Sequence, residues 1–174
     1  GTELRNKRNM KMLTRVPELK DIHKQVRCRC ILDGELAVIK DGRPDFYEIQ
    51  RRSLMNNPLK IELSARQSPA CFIAFDILYD NVDLTNLSLD KRKKILGQYP
   101  DNSVFIKSRI YSDGLSLFKM VKKIGLEGIV AKKRKSIYLF GKRTSDWVKV
   151  KNIHVDNFIV HGYLEKTNTY SLLL

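Results

Sequence analysis

Trp147-Val148-Lys149-Val150-Lys151, with Glu127-Gly128-Ile129-Val130-Ala131-Lys132-Lys133 upstream of it, is the stretch whose reading decides the architecture. The first segment alternates with the two-residue period of a strand. That predicts Val148 and Val150 on a core-facing side, and Trp147, Lys149 and Lys151 on the other. Two ammonium groups on one strand face repel each other unless they are solvated or share an anion, and a phosphate resolves the conflict. In phosphoryl and nucleotidyl transfer, positive groups neutralise charge spreading over the phosphate oxygens, so catalysis is largely positioning plus electrostatics. Taken alone, the same pattern fits an amphipathic edge strand with a basic exposed face. The second segment puts a carboxylate, Glu127, and a glycine at the start of a second β-branched run, predicting a strand over 127–133.

Working outward, residues 27–39 are apolar and partly β-branched, and Asp41-Gly42 supplies turn chemistry at their end, so a strand and a hairpin turn are expected. Gly34 within that strand permits close approach of another backbone or a ligand. Glu35 beside it has the oxygens to accept ribose hydroxyls or help hold a divalent cation, although Asp-Gly-Glu taken alone fits a turn or a surface salt bridge better. A buried strand is expected over 71–79, a short one over 104–107 and another over 156–164. Pro17 opens a short helix containing Leu19, Ile22 and Val26. Residues 46–52 read as helix, and Ser88 caps a helix running to Leu96. Ser112 caps a further helix with Leu117, Val121 and Ile124 on one face, ended by Gly125. Residues 53–68 are too irregular to assign.

The 174 residues are 43% apolar, enough for one domain with the edge of another. A formal charge of +14, from 33 Lys and Arg against 19 Asp and Glu, favours an anionic partner, nucleic acid first. Cys28, Cys30 and Cys71 are an odd number without Cys-x-x-Cys spacing, which argues against a disulfide framework and a zinc site. Reduced buried thiols, with Cys28 and Cys30 on one strand face, imply an intracellular compartment. No apolar stretch approaches the ~20 residues that cross a bilayer, and residues 1–11 are too polar for a secretory signal. No membrane partner is expected.

Five segments occur in one order: Lys7-Arg8-Asn9, Leu32-Asp33-Gly34-Glu35, Phe75-Asp76, Glu127 to Lys132, and Trp147 to Lys151. Together they resemble the nucleotide site of ATP-dependent polynucleotide ligases. The chain is similar to the adenylation domain of ATP-dependent DNA ligases, especially the bacterial end-joining type. Thr14 with Pro17-Glu18-Leu19, and Gly42-Arg43-Pro44-Asp45-Phe46 with Gln50-Arg51, extend the resemblance within that subgroup. It covers residues 4–151, and 156–163 resemble the opening strand of the oligonucleotide-binding barrel that follows.

The resemblance implies an α+β fold: an ATP-grasp-like nucleotidyltransferase domain of mainly antiparallel sheets flanked by helices, over residues 1–152. Residues 153–174 would begin an OB-fold. It implies ATP and Mg2+ as cofactors, and nicked or broken double-stranded DNA as partner for a monomeric, cytoplasmic bacterial protein active in DNA repair and recombination. By position, Arg8 would contact the nucleotide or DNA phosphate, Glu35 the ribose and metal, Phe75 the adenine face and Glu127 the metal. Lys149 and Lys151 would act catalytically on the α-phosphate, and Lys132 and Arg143 would add basic nucleotide contacts. In the family, a lysine of a Lys-x-Asp-Gly element attacks ATP, AMP moves to a 5′-phosphate at a nick, and the 3′-hydroxyl displaces AMP. The chain has no such tetrapeptide. Lys40-Asp41-Gly42 is one residue short, follows the Glu35 segment instead of preceding it, and reads as a hairpin turn. The nucleophile is therefore expected upstream of Gly1, and this chain alone is expected to be inactive. RNA ligases and capping nucleotidyltransferases share the pocket, and a non-catalytic basic nucleic-acid-binding module is the alternative from another class.

Overall fold

The computed structural model describes residues 1–174 apart from Arg27, His154, Asp156, Phe158, Asn168 and Leu174. Contacts divide the chain into two compact units, Gly1–Ile110 with Lys132–Trp147, and Tyr111–Ala131 with Val148–Leu174.

The first unit is built on a four-stranded sheet of β1 (Cys30–Lys40), β2 (Arg43–Pro44), β3 (Ala70–Asp80) and β4 (Phe105–Lys107), in the order β2-β1-β3-β4. The β1 pairings are antiparallel, and β3 with β4 is parallel. Asp41 and Gly42 both take positive φ, 50° and 74°, which matches the twist of a two-residue hairpin and pairs Lys40 with Arg43. Lys40-Asp41-Gly42 is thus a turn. Gly34 serves the backbone-approach reading: a Cβ there would stand 2.5 Å from the Ile73 carbonyl oxygen and 2.5 Å from the Phe72 ring. The core gathers Val16, Leu19, Val38, Ala70, Phe72, Ala74, Ile77, Leu84, Leu96, Tyr99 and Phe105.

Helix α1 (Phe46–Leu54) starts at Asp45, whose carboxylate accepts from the Glu48 amide at 2.9 Å. Its inward residue is Arg52, fully buried, paired with Glu18 at 2.8 Å and donating to the Ser68 carbonyl at 2.8 Å. The unassigned 53–68 segment contains α2 (Pro58–Gln67). Asn57 caps it through the Lys60 amide, and Pro58 fills its first turn. Both are start signals, but weak amphipathicity hid the helix. Pro17 opens two 3-10 turns, Pro17–Leu19 and Ile22–Gln25, rather than one helix.

Ser88 stands at the N-cap of α3 (Leu89–Leu96) without a side-chain capping bond. The first amides are taken instead by a distant loop: Leu89 donates to the Ser136 carbonyl at 2.9 Å and Asp90 to that of Arg134 at 3.1 Å. Cys28 and Cys30 are half-buried, and only Cys71 is buried. The first strand begins at Cys30, so Cys28 is not on it. Its thiol donates to the Asp80 carboxylate.

The second unit holds α4 (Gly114–Lys123), the paired strands β5 (Gly128–Lys132) and β6 (Trp147–Lys151), whose terminal Lys132 and Trp147 belong to the first unit, and the hairpin β7 (Gly162–Lys166) with β8 (Thr169–Leu173). Asp113, not Ser112, caps α4, accepting from the Leu115 and Ser116 amides at 3.0 Å; a carboxylate there also suits the helix dipole. The strand expected from 156 begins at Gly162; Val155, Asn157 and Ile159 to His161 carry no strand, and Asp156 and Phe158 lie outside the described residues. The predicted core face of β6 is not buried, since Val148 and Val150 are 48% and 37% exposed. Strands β5 and β6 form a two-stranded ribbon among the described residues, and its valine face is left open. Among the described residues, no helix is long and apolar enough to cross a membrane.

Candidate active site

Phe75 owes its direction to an irregularity in the sheet. Asp33 pairs with Asp76 and Gly34 with Ala74, so the register slips and Phe75 has no opposite residue on β1. A bulge of this kind bends the strand and re-aims one side chain. The Phe75 ring meets Trp147, the first residue of β6, edge-on at 6.4 Å, and Trp147 meets Tyr138 at 5.6 Å. Lys132, the last residue of β5, holds its ammonium 3.5 Å from the Trp147 ring centroid and 4.4 Å from that of Phe75. Residues far apart in sequence therefore build one cation–aromatic cluster within the first unit.

Beneath it lies a buried polar network. Asp76 and Arg92 are both fully buried and joined bidentately at 2.8 and 2.9 Å. Arg92 also donates to the Leu87 and Ser136 carbonyls and lies 5.7 Å from the Tyr138 ring centroid. The Tyr138 hydroxyl donates to Asp33 at 2.7 Å. Lys93 donates to the Ser108 hydroxyl at 2.9 Å and to the Phe75 carbonyl at 3.3 Å.

These neighbours set the local protonation. Burial pulls the Lys132 ammonium down to about 8, with Asp76 and Asp33 opposing and Lys93 and Arg92 reinforcing the drop. Burial lowers Lys93 as well, against the attraction of Asp76. Burial and the bond to Asp33 push the Tyr138 phenol upward. Because Lys132 loses its proton more readily folded than unfolded, its contribution to stability increases as pH rises from about 8 towards the ordinary lysine value of 10.5. Beside the cluster, a cavity of about 470 Å3 is lined by Tyr138, Trp147, Lys142, Arg143 and Thr144 among others.

In the second unit, the Lys149 ammonium donates to the Glu127 carboxylate at 2.7 Å. The anion that relieves the lysine pair in this structure is thus a protein carboxylate. The hydrogen bond and charge of Lys149, with a smaller effect from Lys151, hold the Glu127 carboxyl below its usual range. Lys151 is exposed at the end of β6. Glu35 is exposed on β1, opposite Ile73, and Arg8 is exposed in the turn at residues 7–8. Glu35 belongs to the four-stranded sheet and Glu127 directly precedes the β5–β6 ribbon, so they are not on neighbouring strands of one sheet. Among the described residues, no three His, Cys, Asp or Glu side chains gather as a metal cage. Magnesium usually takes only one or two protein carboxylates, and Glu35 and Glu127 are oxygen donors of that type.

The profile of the ATP dependent DNA ligase domain family matches residues 4–151. This chain belongs to that family. It is 33% identical over 185 residues to the bifunctional non-homologous end joining protein LigD of Bacillus subtilis strain 168, covering 94% of this chain and 30% of that protein. With the SPbeta prophage-derived DNA ligase-like protein LigB of the same organism it shares 30% identity over 168 residues, 94% of this chain and 58% of LigB. The fold superposes on a mycobacterial DNA ligase D complexed with ATP and MES with a TM-score of 0.70 at 28% identity, covering 86% of this chain and 47% of that one. The chain therefore spans from under a third to somewhat over half of these relatives. Within the ligase domain, the structure brings together Phe75, Lys132 and Trp147 from the ordered segments, and separately Glu127 with Lys149. Asp33 and Asp76 stood inside quoted segments without a role. Arg92, Lys93 and Tyr138 went unnoticed, because a cation inside an amphipathic helix and a tyrosine in a basic loop carry no local signal.

Proposed function

We propose that this chain is the nucleotide-handling part of an ATP-dependent DNA ligase that seals nicked or broken double-stranded DNA through enzyme-AMP and DNA-adenylate intermediates, in repair and recombination. The observation that carries the reading is the convergence of Phe75, Trp147 and Lys132, each from a different segment of the ordered family set, on one aromatic and cationic cluster. An aromatic face suits a base, and surrounding cations suit phosphates. In this reading Phe75 stacks on adenine, Glu35 holds the ribose, and Arg8, Lys132 and Arg143 contact phosphate oxygens. Lys149 and Lys151 neutralise charge on the α-phosphate as it develops. Glu35 and Glu127 would hold Mg2+, which supplies charge neutralisation when bound. Residues 1–152 form the adenylation domain and 153–174 begin an oligonucleotide-binding fold. The protein acts as a monomer in the bacterial cytoplasm.

The chain contains no Lys-x-Asp-Gly tetrapeptide, so with labelled ATP and magnesium it should retain no denaturant-resistant AMP. A longer protein that supplies this tetrapeptide ahead of the chain should become labelled and should seal nicked DNA. Label held by the 174 residues alone would mean that another lysine is the nucleophile. Faster sealing of nicked RNA than of nicked DNA, or transfer to capped ends, would move the protein to the related RNA ligases or capping enzymes. Binding to DNA without any affinity for ATP would leave only a basic binding module.

Glu127 gives a second test. In the longer protein, Glu127→Gln should slow adenylate transfer by about a hundredfold, the scale of one preorganised electrostatic contact. Melting should stay unchanged because the Glu127–Lys149 pair is solvent-exposed. Transfer near the wild-type rate would remove Glu127 from the mechanism.

A further inference from the structure

Phe75 and Trp147 already have an occupant. The Lys132 ammonium lies 3.5 Å from one ring centroid and 4.4 Å from the other. That is contact distance, so the ring faces it covers are closed to a stacked base. The two rings meet at 81°, 6.4 Å apart, and form a corner into which the ammonium fits. Beyond the rings, Asp76 and Asp33 attract it only through space. None of its hydrogen bonds or ion pairs stands among those of the described residues, whereas neighbouring Lys93 is held by Ser108 and the Phe75 carbonyl. A partly buried ammonium held by ring faces can be displaced by a flat aromatic ligand, provided the ligand offers the charge a new partner.

Resting on the nucleotide-site reading above, we propose that Lys132 is an exchangeable cap of the base site: its ammonium closes the Phe75–Trp147 corner in the free protein and yields it to a purine base only when a phosphate chain is there to receive the charge. Lys132 then favours nucleotides over nucleosides. A bare nucleoside must uncover the corner and leave the ammonium without a partner, while a nucleotide supplies one. The device makes occupancy depend on phosphate, which guards a ligase against filling its site with adenosine.

The charged groups facing Lys132 are Asp33 on β1, Asp76 on β3, and Arg92 and Lys93 on α3. The ammonium loses its proton near pH 8, so the neutral amine should hold the ring faces more weakly above that value, and nucleoside binding should improve there.

The test uses the full chain and its single tryptophan, Trp147, as reporter. Trp147 emission in the free wild type should show a transition near pH 8 that Lys132→Met abolishes. At pH 7, Lys132→Met should bind adenosine about tenfold more tightly than wild type, the scale of a desolvated cation–π contact, with no matching gain for ATP. Lys132→Arg, which keeps a cation on the rings, should stay close to wild type. Raising the pH from 7 to 9 should bring wild-type adenosine affinity towards that of Lys132→Met. Equal adenosine affinity in wild type and Lys132→Met, an equal gain for adenosine and ATP, or an emission transition persisting in Lys132→Met would each overturn the cap. Those results leave ATP binding by the wild type intact. Failure of the wild type to bind ATP at all would instead remove the nucleotide-site reading and the cap with it.

Discussion

Replacing Lys149 or Lys151 by methionine is expected to slow nick sealing about a hundredfold or more in a protein that carries this chain together with the nucleophile element, while its melting temperature stays where it is. On the proposed reading each substitution removes a cation that meets charge developing on the α-phosphate, and preorganised donors of this kind typically contribute ~2.7 to 4 kcal/mol in the transition state. The structure separates the two lysines. Lys149 is paired with Glu127 at 2.7 Å, and side-chain exposures of 51% and 72% make that pair a weak contributor to folding. Lys149→Met therefore also frees Glu127, whose carboxyl should move back towards its ordinary range, whereas Lys151→Met leaves the pair standing. If Lys149 acts only through Glu127, then Lys149→Met in a Glu127→Gln background should cost nothing further. A full additional loss there shows an independent role at the phosphate. Sealing at the wild-type rate in both lysine variants would sink the phosphate role.

The second large effect is on stability. Asp76 and Arg92 have no exposed side-chain surface, so removing one partner leaves the other charge buried and uncompensated. Asp76→Ala or Arg92→Met should each cost about 3 to 5 kcal/mol, lowering the melting temperature by about 10 °C for a chain of this size. Replacing both partners at once by apolar residues should recover much of that loss, because well-packed hydrophobic side chains often match a buried ion pair. Single variants that melt with the wild type would show that the pair is not sealed from water. Asp76 adjoins Phe75, and Arg92 braces the 134–138 loop through Ser136 and Tyr138. Any recovery of stability in the double variant without recovery of nucleotide binding would show that this network also aims the site.

Where a local rule and the tertiary context agree, the sequence can be read directly. Asp41-Gly42 makes its hairpin because the pair tolerates the two positive φ values the turn demands. Alternation in 147–151 yields a strand, since a two-residue period has no other regular reading. The order of the five segments leads to the ligase domain, and the family match over residues 4–151 takes in all five. Asn57-Pro58 was legible too, as a cap followed by a first-turn proline, but an apolar periodicity too weak to mark a helix masked it.

Other features depend on neighbours that no window of sequence contains. The valine face of β6 is exposed, which packing against other segments decides and alternation does not. The α3 amides are satisfied by the 134–136 backbone rather than by Ser88, since a loop some 45 residues away lies on them. The charge conflict between Lys149 and Lys151 is answered by Glu127, which only strand pairing brings within 2.7 Å. Lys132 is pulled down to about 8 because folding strips its water, with Lys93 and Arg92 adding to the drop against Asp76 and Asp33. The sequence by itself determined which aromatic, cationic and carboxylate side chains are available to the proposed site, because composition and order are local properties. Tertiary structure alone decided which of them meet, and which charge is paired, capped or left in water, because burial and distance arise only when separate segments pack together.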